Sequence, residues 1–307
     1  MHHSGTITGL QWHSNSHLFT CSEDGTVCIV RSSDWTVLKT IKAHPMHSVT
    51  GIAVHPSGKV LLTVGTDRLL RCWDLQTAAC AYSVKLSDTP LGVRWSPCGS
   101  NYAVRYSQSL HVFQVGVAEP CSKIVTQSRL NCMAFTEFDG LLVLGLENGQ
   151  LMLCRLDGTT AYQWDSGHQS RIKDLDTVTL PSSRVAATTD STGLVTLVAT
   201  CSSNGRIFLW DIAATCLQLA SSTTVEPQLG SFDAQCRLTC LCISQVVSKK
   251  KESTQPIECC ESEMSEYEAP SKPTVTVTME GKRRVTKRSV TKRSVKKRSV
   301  KKRVNKE

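Results

Sequence analysis

His44, Thr63 and Asp67 place an imidazole, a hydroxyl and a carboxylate close together in the chain, the side chains of a nucleophilic hydrolase. That chemistry needs the hydroxyl at a cleft, a base to take its proton and donors for the oxyanion. The sequence holds no Gly-x-Ser-x-Gly elbow, and the same residue types return as His168, Thr200 and Asn204. A set that recurs at matching positions behaves as a structural element, so no catalytic residue is assigned. The imidazoles of His44, His47 and His55 are metal donors in principle. No Cys-x-x-Cys pair accompanies them, and Cys236, Cys240, Cys242 and the Cys259-Cys260 doublet do not have zinc spacings. Neither a metal nor a cofactor is expected, since Gly-x-x-x-x-Gly-Lys-Ser/Thr and Gly-x-Gly-x-x-Gly loops are also lacking.

The elements that must position these side chains emerge from an internal repeat, which is sought before anything else. The run from Leu18 to Val30 aligns with that from Leu61 to Trp73 and that from Val198 to Trp210. In each, a short apolar strand meets a turn with Asp24, Asp67 or Asn204, and a second strand ends six residues later. Thr20 matches Thr63 and Thr200. Weaker copies end at Phe113 and Cys154. Strand ends at 30, 73, 113, 154 and 210 give a period of about 41, with residues Thr177 to Thr192 read as a surface insertion. A period in the forties made of short strands predicts β-propeller blades, since four strands and their turns fill it. No helical stripe competes over a comparable length.

These residues resemble the WD-repeat family. Ala43-His44 and Gly167-His168 match its Gly-His element, and Trp73-Asp74 and Trp210-Asp211 match its Trp-Asp dipeptide. The resemblance implies a hydrogen-bonded network in one blade from His44, Thr63, Asp67 and Trp73, and in another from His168, Thr200, Asn204 and Trp210, with Thr20 and Asp24 in a third. Asn204 stands where the family has Asp, so that network is expected to be neutral and weaker. The fold expected is all-β, a WD40-type β-propeller with about five of an expected seven blades and a disordered basic C-terminal tail. The chain opens inside a repeat, which suggests a shortened form.

A closer resemblance, carried by His2 to Thr8, Ser22 to Gly25, Ile41 to His44, His55 to Lys59, Val64 to Asp67, Val93 to Pro97 and Arg237 to Leu241, is to the branch of the WD-repeat family that interacts with p21-activated kinase. It implies a nucleolar, non-enzymatic scaffold of large ribosomal subunit assembly that binds the regulatory region of the kinase and restrains its signalling. Partners implied are the kinase, pre-60S assembly proteins, pre-rRNA and import receptors.

Charge divides the chain. Residues 249 to 307 carry 18 Lys and Arg against 8 Asp and Glu, leaving 17 against 18 before them. The expected organisation is blades over 1–247, a mixed-charge linker over 248–281 and a Lys/Arg-rich tail over 282–307. Lys282, Arg283, Arg284, Lys287, Arg288, Lys292, Arg293, Lys296, Lys297, Arg298, Lys301, Lys302 and Arg303 recur in a five-residue pattern that fits neither a helix nor a strand face. Such density suits nuclear and nucleolar import or phosphate contact with RNA, and an RNA-binding protein dominated by its tail is the rival reading. Ser289, Ser294 and Ser299 follow Lys-Arg pairs and are expected substrates of a basophilic kinase.

Fifteen cysteines, an odd number with no apolar leader after Met1, are expected to be reduced and buried in an intracellular protein, Cys28, Cys72, Cys132, Cys154, Cys240 and Cys242 within apolar runs. No stretch approaches the roughly 18 apolar residues of a membrane-spanning helix. Arg68, Arg71, Arg94, Arg105, Arg129, Arg171 and Arg206 adjoin blade turns or strands and are the candidates for a partner surface.

Overall fold

Runs rich in Val, Ile, Leu and Thr, punctuated by Asp-Gly and Pro-x-Gly turns, have the composition of half-buried or buried strands. The computed structural model describes residues 2–14, 16–137, 140–181, 194–221 and 229–243, and the tail and its serines lie outside them. Among the described residues the strands form five sheets of four, each a meander of consecutive antiparallel strands. The first blade holds β1 (Ile7–His13), β2 (His17–Ser22), β3 (Thr26–Arg31) and β4 (Val37–Lys42). The second holds β5 (Val49–Val54), β6 (Val60–Gly65), β7 (Leu69–Asp74) and β8 (Ala79–Lys85). β9 (Gly92–Trp95), β10 (Asn101–Arg105), β11 (Ser109–Gln114) and β12 (Ser122–Val125) make the third. The fourth has β13 (Leu130–Phe135), β14 (Leu142–Leu146), β15 (Gln150–Cys154) and β16 (Thr160–Asp165), and the fifth β17 (Ile172–Pro181), β18 (Leu194–Ser202), β19 (Arg206–Asp211) and β20 (Gly230–Asp233).

The repeat ends read from sequence fall on the third strand of every blade. The inner strands β1, β5, β9, β13 and β17 pack on one another in that order. Between each pair of neighbouring blades lies one apolar layer: Phe19, Ile29, Val49 and Ile52 between the first two, then Leu62, Val64, Val93 and Tyr102. Leu110, Ile124, Leu142 and Leu144 follow, and Val143, Leu153, Trp164 and Trp210 close the series. Second strands are therefore buried on both faces, as β6 is along nearly its whole length, whereas the outer β8 is mostly exposed.

Polar side chains stitch the inner strands across each gap. Thr8 Oγ1 donates to the Val49 carbonyl at 2.5 Å, Thr50 Oγ1 to Pro90 at 2.8 Å and Asn131 Nδ2 to Ile172 at 3.0 Å. All three occupy the second position of their inner strands. Leu91 holds that position in the third blade, one residue after the acceptor Pro90, and its side chain has nothing to donate. There the Arg105 guanidinium takes over, donating to Leu130 O and to Leu91 O, each at 2.9 Å. A Cβ placed on Gly92 would lie 3.5 Å from Arg105 Nε, so the arginine fills the space the missing side chain leaves.

Two expectations are corrected, and one element is added. Thr177 to Pro181 are not loop: they extend β17 and pair with Val198 back to Leu194, because the β-branched alternation of Thr177-Val-Thr-Leu continues the hairpin. The remainder of that insertion, 182–192, is outside the described residues. A helix, α1 (Ile212–Ser221), follows β19, its N-terminus capped by Asp211 Oδ1 accepting from the Ala213 and Ala214 N–H groups at 3.0 and 3.3 Å. It was too short to register as a stripe in the sequence. Cys240 and Cys242 are exposed and outside any strand, while Cys28, Cys72, Cys132 and Cys154 are buried as expected.

Beyond the fifth blade, residues 238–243 run along β17. Leu241 N–H donates to Asp174 Oδ2 at 2.9 Å and Ile243 N–H to Asp176 Oδ2 at 2.8 Å. Leu238 is buried against Cys201 and Ile207. The Gln11 side chain of β1 accepts from the Val54 N–H of β5 in the same relation, at 2.9 Å. Gln11 and Asp176 are each four residues into their strands, and Val54 and Ile243 each five beyond Val49 and Leu238. Residues 238–243 thus occupy the place of a sixth inner strand.

Candidate functional site

The residues that looked capable of hydrolysis are brought together, and the geometry decides what they do. His44 stands just before β5, Thr63 on β6, Asp67 in the β6–β7 turn and Trp73 on β7. His44 Nδ1 lies 2.8 and 2.9 Å from the two Asp67 oxygens, and His44 Nε2 lies 3.0 Å from Thr63 Oγ1. Trp73 Nε1–H donates to the same hydroxyl at 3.0 Å. Indole is only a donor, so Thr63 must pass its own proton to His44 Nε2, leaving the imidazole N–H on Nδ1 to face the carboxylate. His44 and Thr63 have no solvent exposure. A hydroxyl buried between an indole and an imidazole has no face left for a substrate carbonyl, so this set is a clamp across the blade.

Sequence reasoning missed one member. Arg71 donates from Nη1 to the Ala43 carbonyl at 2.8 Å and to Asp67 Oδ2 at 2.9 Å. Burial lowers the His44 pKa, with the Asp67 bond opposing and the Arg71 charge assisting. Burial would raise the Asp67 carboxyl, but the His44 and Arg71 contacts outweigh it and hold it low. The clamp is a neutral imidazole on a carboxylate that a guanidinium neutralises.

The fifth blade keeps half of this. His168 Nε2 lies 2.9 Å from Thr200 Oγ1, which also accepts from Trp210 Nε1 at 3.2 Å. Asn204 does not join them, contrary to expectation. Its Oδ1 accepts from the Ser202 hydroxyl and from the Arg206 N–H, capping its own turn. His168 Nδ1 has no hydrogen-bond partner among the described residues. Phe208, at the position of Arg71, stacks on the imidazole instead, at 4.3 Å between centroids and 23° between planes. Burial, then the nearby Arg206 charge, pushes the His168 pKa down to about 4.

In the first blade the network of Thr20 and Asp24 gains a histidine the sequence did not flag. His3 Nε2 lies 2.7 Å from Thr20 Oγ1 and Nδ1 lies 2.8 Å from Thr26 Oγ1, which donates to Asp24 Oδ1 at 2.6 Å. The carboxylate is reached through a threonine relay. Burial would raise the Asp24 pKa, yet bonds from Thr26 and the Ser4 N–H drive it far below the ordinary range. Blades three and four replace the network. Trp95 and Tyr102 meet edge-on at 5.3 Å, and Tyr102 stacks on Phe113 at 5.2 Å, whereas Leu142, Leu144 and Leu153 fill the fourth.

The five inner strands also line one cavity, with Gln11, Val54, Trp95, Phe135 and Asp176 among its walls. Its Gln11 and Asp176 side chains are engaged in the interblade bonds described above. Of the arginine candidates, Arg68, Arg94, Arg129, Arg171 and Arg206 are exposed. Arg71 and Arg105 are not free surface: one closes the clamp and the other bridges blades. His47 is exposed, and His55 Nδ1 pairs with Ser57 Oγ at 2.8 Å while its ring meets Trp95 edge-on. Arg237, not among the sequence candidates, is also exposed.

Comparison with known proteins agrees with this architecture. The family model "WD domain, G-beta repeat" matches residues 1–30 and 35–74. The chain is 30% identical over 263 residues to "p21-activated protein kinase-interacting protein 1-like" of Danio rerio, covering 86% of this chain and 66% of that protein. It is 31% identical over 258 residues to "p21-activated protein kinase-interacting protein 1" of Homo sapiens, covering 83% and 60%. To "Shk1 kinase-binding protein 15" of Schizosaccharomyces pombe it is 27% identical over 199 residues, covering 64% and 52%. The chain thus spans about two thirds or less of the length of these relatives. A solved Myceliophteria thermophila Cps50 (Swd1) β-propeller domain superposes with a TM-score of 0.54 at 17% identity, over 68% of this chain and 66% of that one, and speaks for the fold alone. The chain belongs to the WD-repeat family, in which it is similar over most of its length to the p21-activated protein kinase-interacting proteins.

Proposed function

We propose that the protein is a non-enzymatic scaffold that binds p21-activated kinase through the kinase's regulatory region and restrains its signalling. The observation that carries this reading is the similarity, over 86% of the chain in one case, to relatives whose names state that interaction. The buried clamps support the non-enzymatic half, because the side chains with reactive chemistry are used between strands. The same scaffold is proposed to act in the nucleolus on large ribosomal subunit assembly, with pre-60S proteins as partners and the tail bringing it to import receptors and pre-rRNA. The fourteen cations of residues 282–306, with no acid among them, also support the rival reading of an RNA-binding protein driven by its tail.

Affinity capture with the full chain and with a chain lacking 282–307 separates the two. The scaffold reading expects kinase capture to survive the deletion while nucleolar localisation is lost. Loss of kinase capture together with localisation would transfer the activity to the tail.

A further inference from the structure

Arg129, Arg171 and Arg237 each stand immediately before an inner strand: before Leu130 of β13, Ile172 of β17 and Leu238 of the sixth inner segment. They hold one repeat position on the last two blades and on the segment that follows them, and all three residues are exposed. The same position in the first three blades is Thr6, Ser48 and Thr89, so the cations gather on one side of the stack. Lys173 lies between them at the second position of β17. Burial lowers its pKa, and the charges of Arg171, Arg237 and Arg129 lower it further against the opposing Glu147, which places each of the three arginines within electrostatic reach of Lys173. Arg105 stands behind the group, fixed by its two carbonyls.

We propose that Arg129, Arg171, Lys173 and Arg237 form a docking surface for an acidic peptide segment of a partner protein. This goes beyond the proposed function, which names no surface and does not depend on this one. Guanidinium forks suit carboxylates, and the group has donors to spare. Glu147 shows how a carboxylate meets it: its N–H donates to the Arg129 carbonyl at 2.8 Å, and its Oε1 lies 3.8 Å from Arg171 Nη1, too far for a hydrogen bond. Among the described residues that is the one ion pair in the group. Single-stranded nucleic acid would want aromatic platforms beside the cations. The exposed aromatics Trp12, Trp35, Tyr82 and Phe232 lie instead on β1, the β3–β4 loop, β8 and β20.

The test uses the full chain, with a labelled oligoglutamate peptide and a labelled oligouridylate of equal charge as probes, read by fluorescence anisotropy. Residues 282–307 are unchanged in every variant but bind either polyanion and would hide a loss on the blades, so the peptide titrations are paired with, and judged on, the same variants lacking 282–307. Replacing Arg129, Arg171 and Arg237 together by Gln is expected to weaken peptide binding about tenfold or more, the scale of losing several charge-assisted bonds. Oligouridylate binding should change less than about twofold, since phosphate contact by the tail remains. Glu147→Gln removes the resident competitor without touching a fold contact and is expected to tighten the peptide by about twofold to threefold. Peptide binding within about twofold of the parent in the triple variant, an equal loss for both probes, or no peptide binding by the unchanged chain would each overturn the proposal.

Discussion

Arg105 reaches across from the third blade to donate 2.9 Å to the Leu130 carbonyl of the fourth, in the place where Thr8, Thr50 and Asn131 make the corresponding bond from their own inner strands. Burial pulls the guanidinium pKa down, but arginine starts so high that it stays charged. A buried cation held by two carbonyls is costly to cut.

Arg105→Met is therefore expected to destabilise the chain by about 2–4 kcal/mol, since two carbonyls lose their donor. Adding Leu91→Thr should recover part of that loss by restoring a Thr8-type hydroxyl, whereas Leu91→Thr alone should gain nothing, because Arg105 already serves the Leu130 carbonyl. Urea unfolding of the three variants checks the pattern, and a Leu91→Thr substitution that fails to improve the Arg105→Met chain would refute it.

Thr63 serves one buried donor, Trp73 Nε1, and one buried acceptor, His44 Nε2, at once. Thr63→Val strands His44 Nε2 and Trp73 Nε1 and is expected to cost about 2–4 kcal/mol. Thr200→Val, which strands the equivalent pair in a network already missing its carboxylate, should cost about the same or less. Denaturation midpoints at constant slope measure both.

His168 gives a pH dependence whose sign is fixed. Its folded pKa, about 4, lies below the ordinary 6.5, so the unfolded chain binds the extra proton between these values. Stability from this site is complete above pH 6.5 and is lost as the pH falls toward 4. Melting temperatures across that window should drop, and His168→Asn should flatten the drop while lowering the plateau.

Asn204→Asp offers His168 Nδ1 the acceptor that Asp67 gives His44. The expected outcome is a rise in the His168 pKa from about 4, read from the imidazole proton shifts by NMR. An unchanged titration would mean that Phe208, not the missing charge, sets the site apart.

Among the cysteines, Cys98 is exposed and its thiol pKa is lowered chiefly by the Ser96 hydroxyl, whereas burial pushes Cys21 and Cys154 up to about 11. Iodoacetamide at neutral pH should modify Cys98 well before either, with mass mapping as the readout.

What the sequence made legible was what the repeat preserves. Strand ends, the Thr and Asp positions and the indoles are placed by local pattern, and the clamp of His44, Thr63, Asp67 and Trp73 is what the resemblance to the WD-repeat family implied for them. What escaped was set by exceptions to the repeat. Arg71, Cys28 and Phe208 share one position with no common chemistry, so no alignment of turns marks it as part of the clamp. Arg105 matters only because the inner strand of its own blade has Leu91 where the others have a donor. Asn204 preserves hydrogen-bonding capacity while changing its target, a choice made by the turn and by the ring that covers His168. Arg237 became visible only when Leu238 was seen to sit in an inner-strand site.

Residues 238–243 leave the flank of the fifth blade already laid with a first course. Further β-structure joining there inherits its height and direction from the two aspartates of β17, and would be added by hydrogen-bonding outward from an existing edge, with nothing underneath needing to be rebuilt.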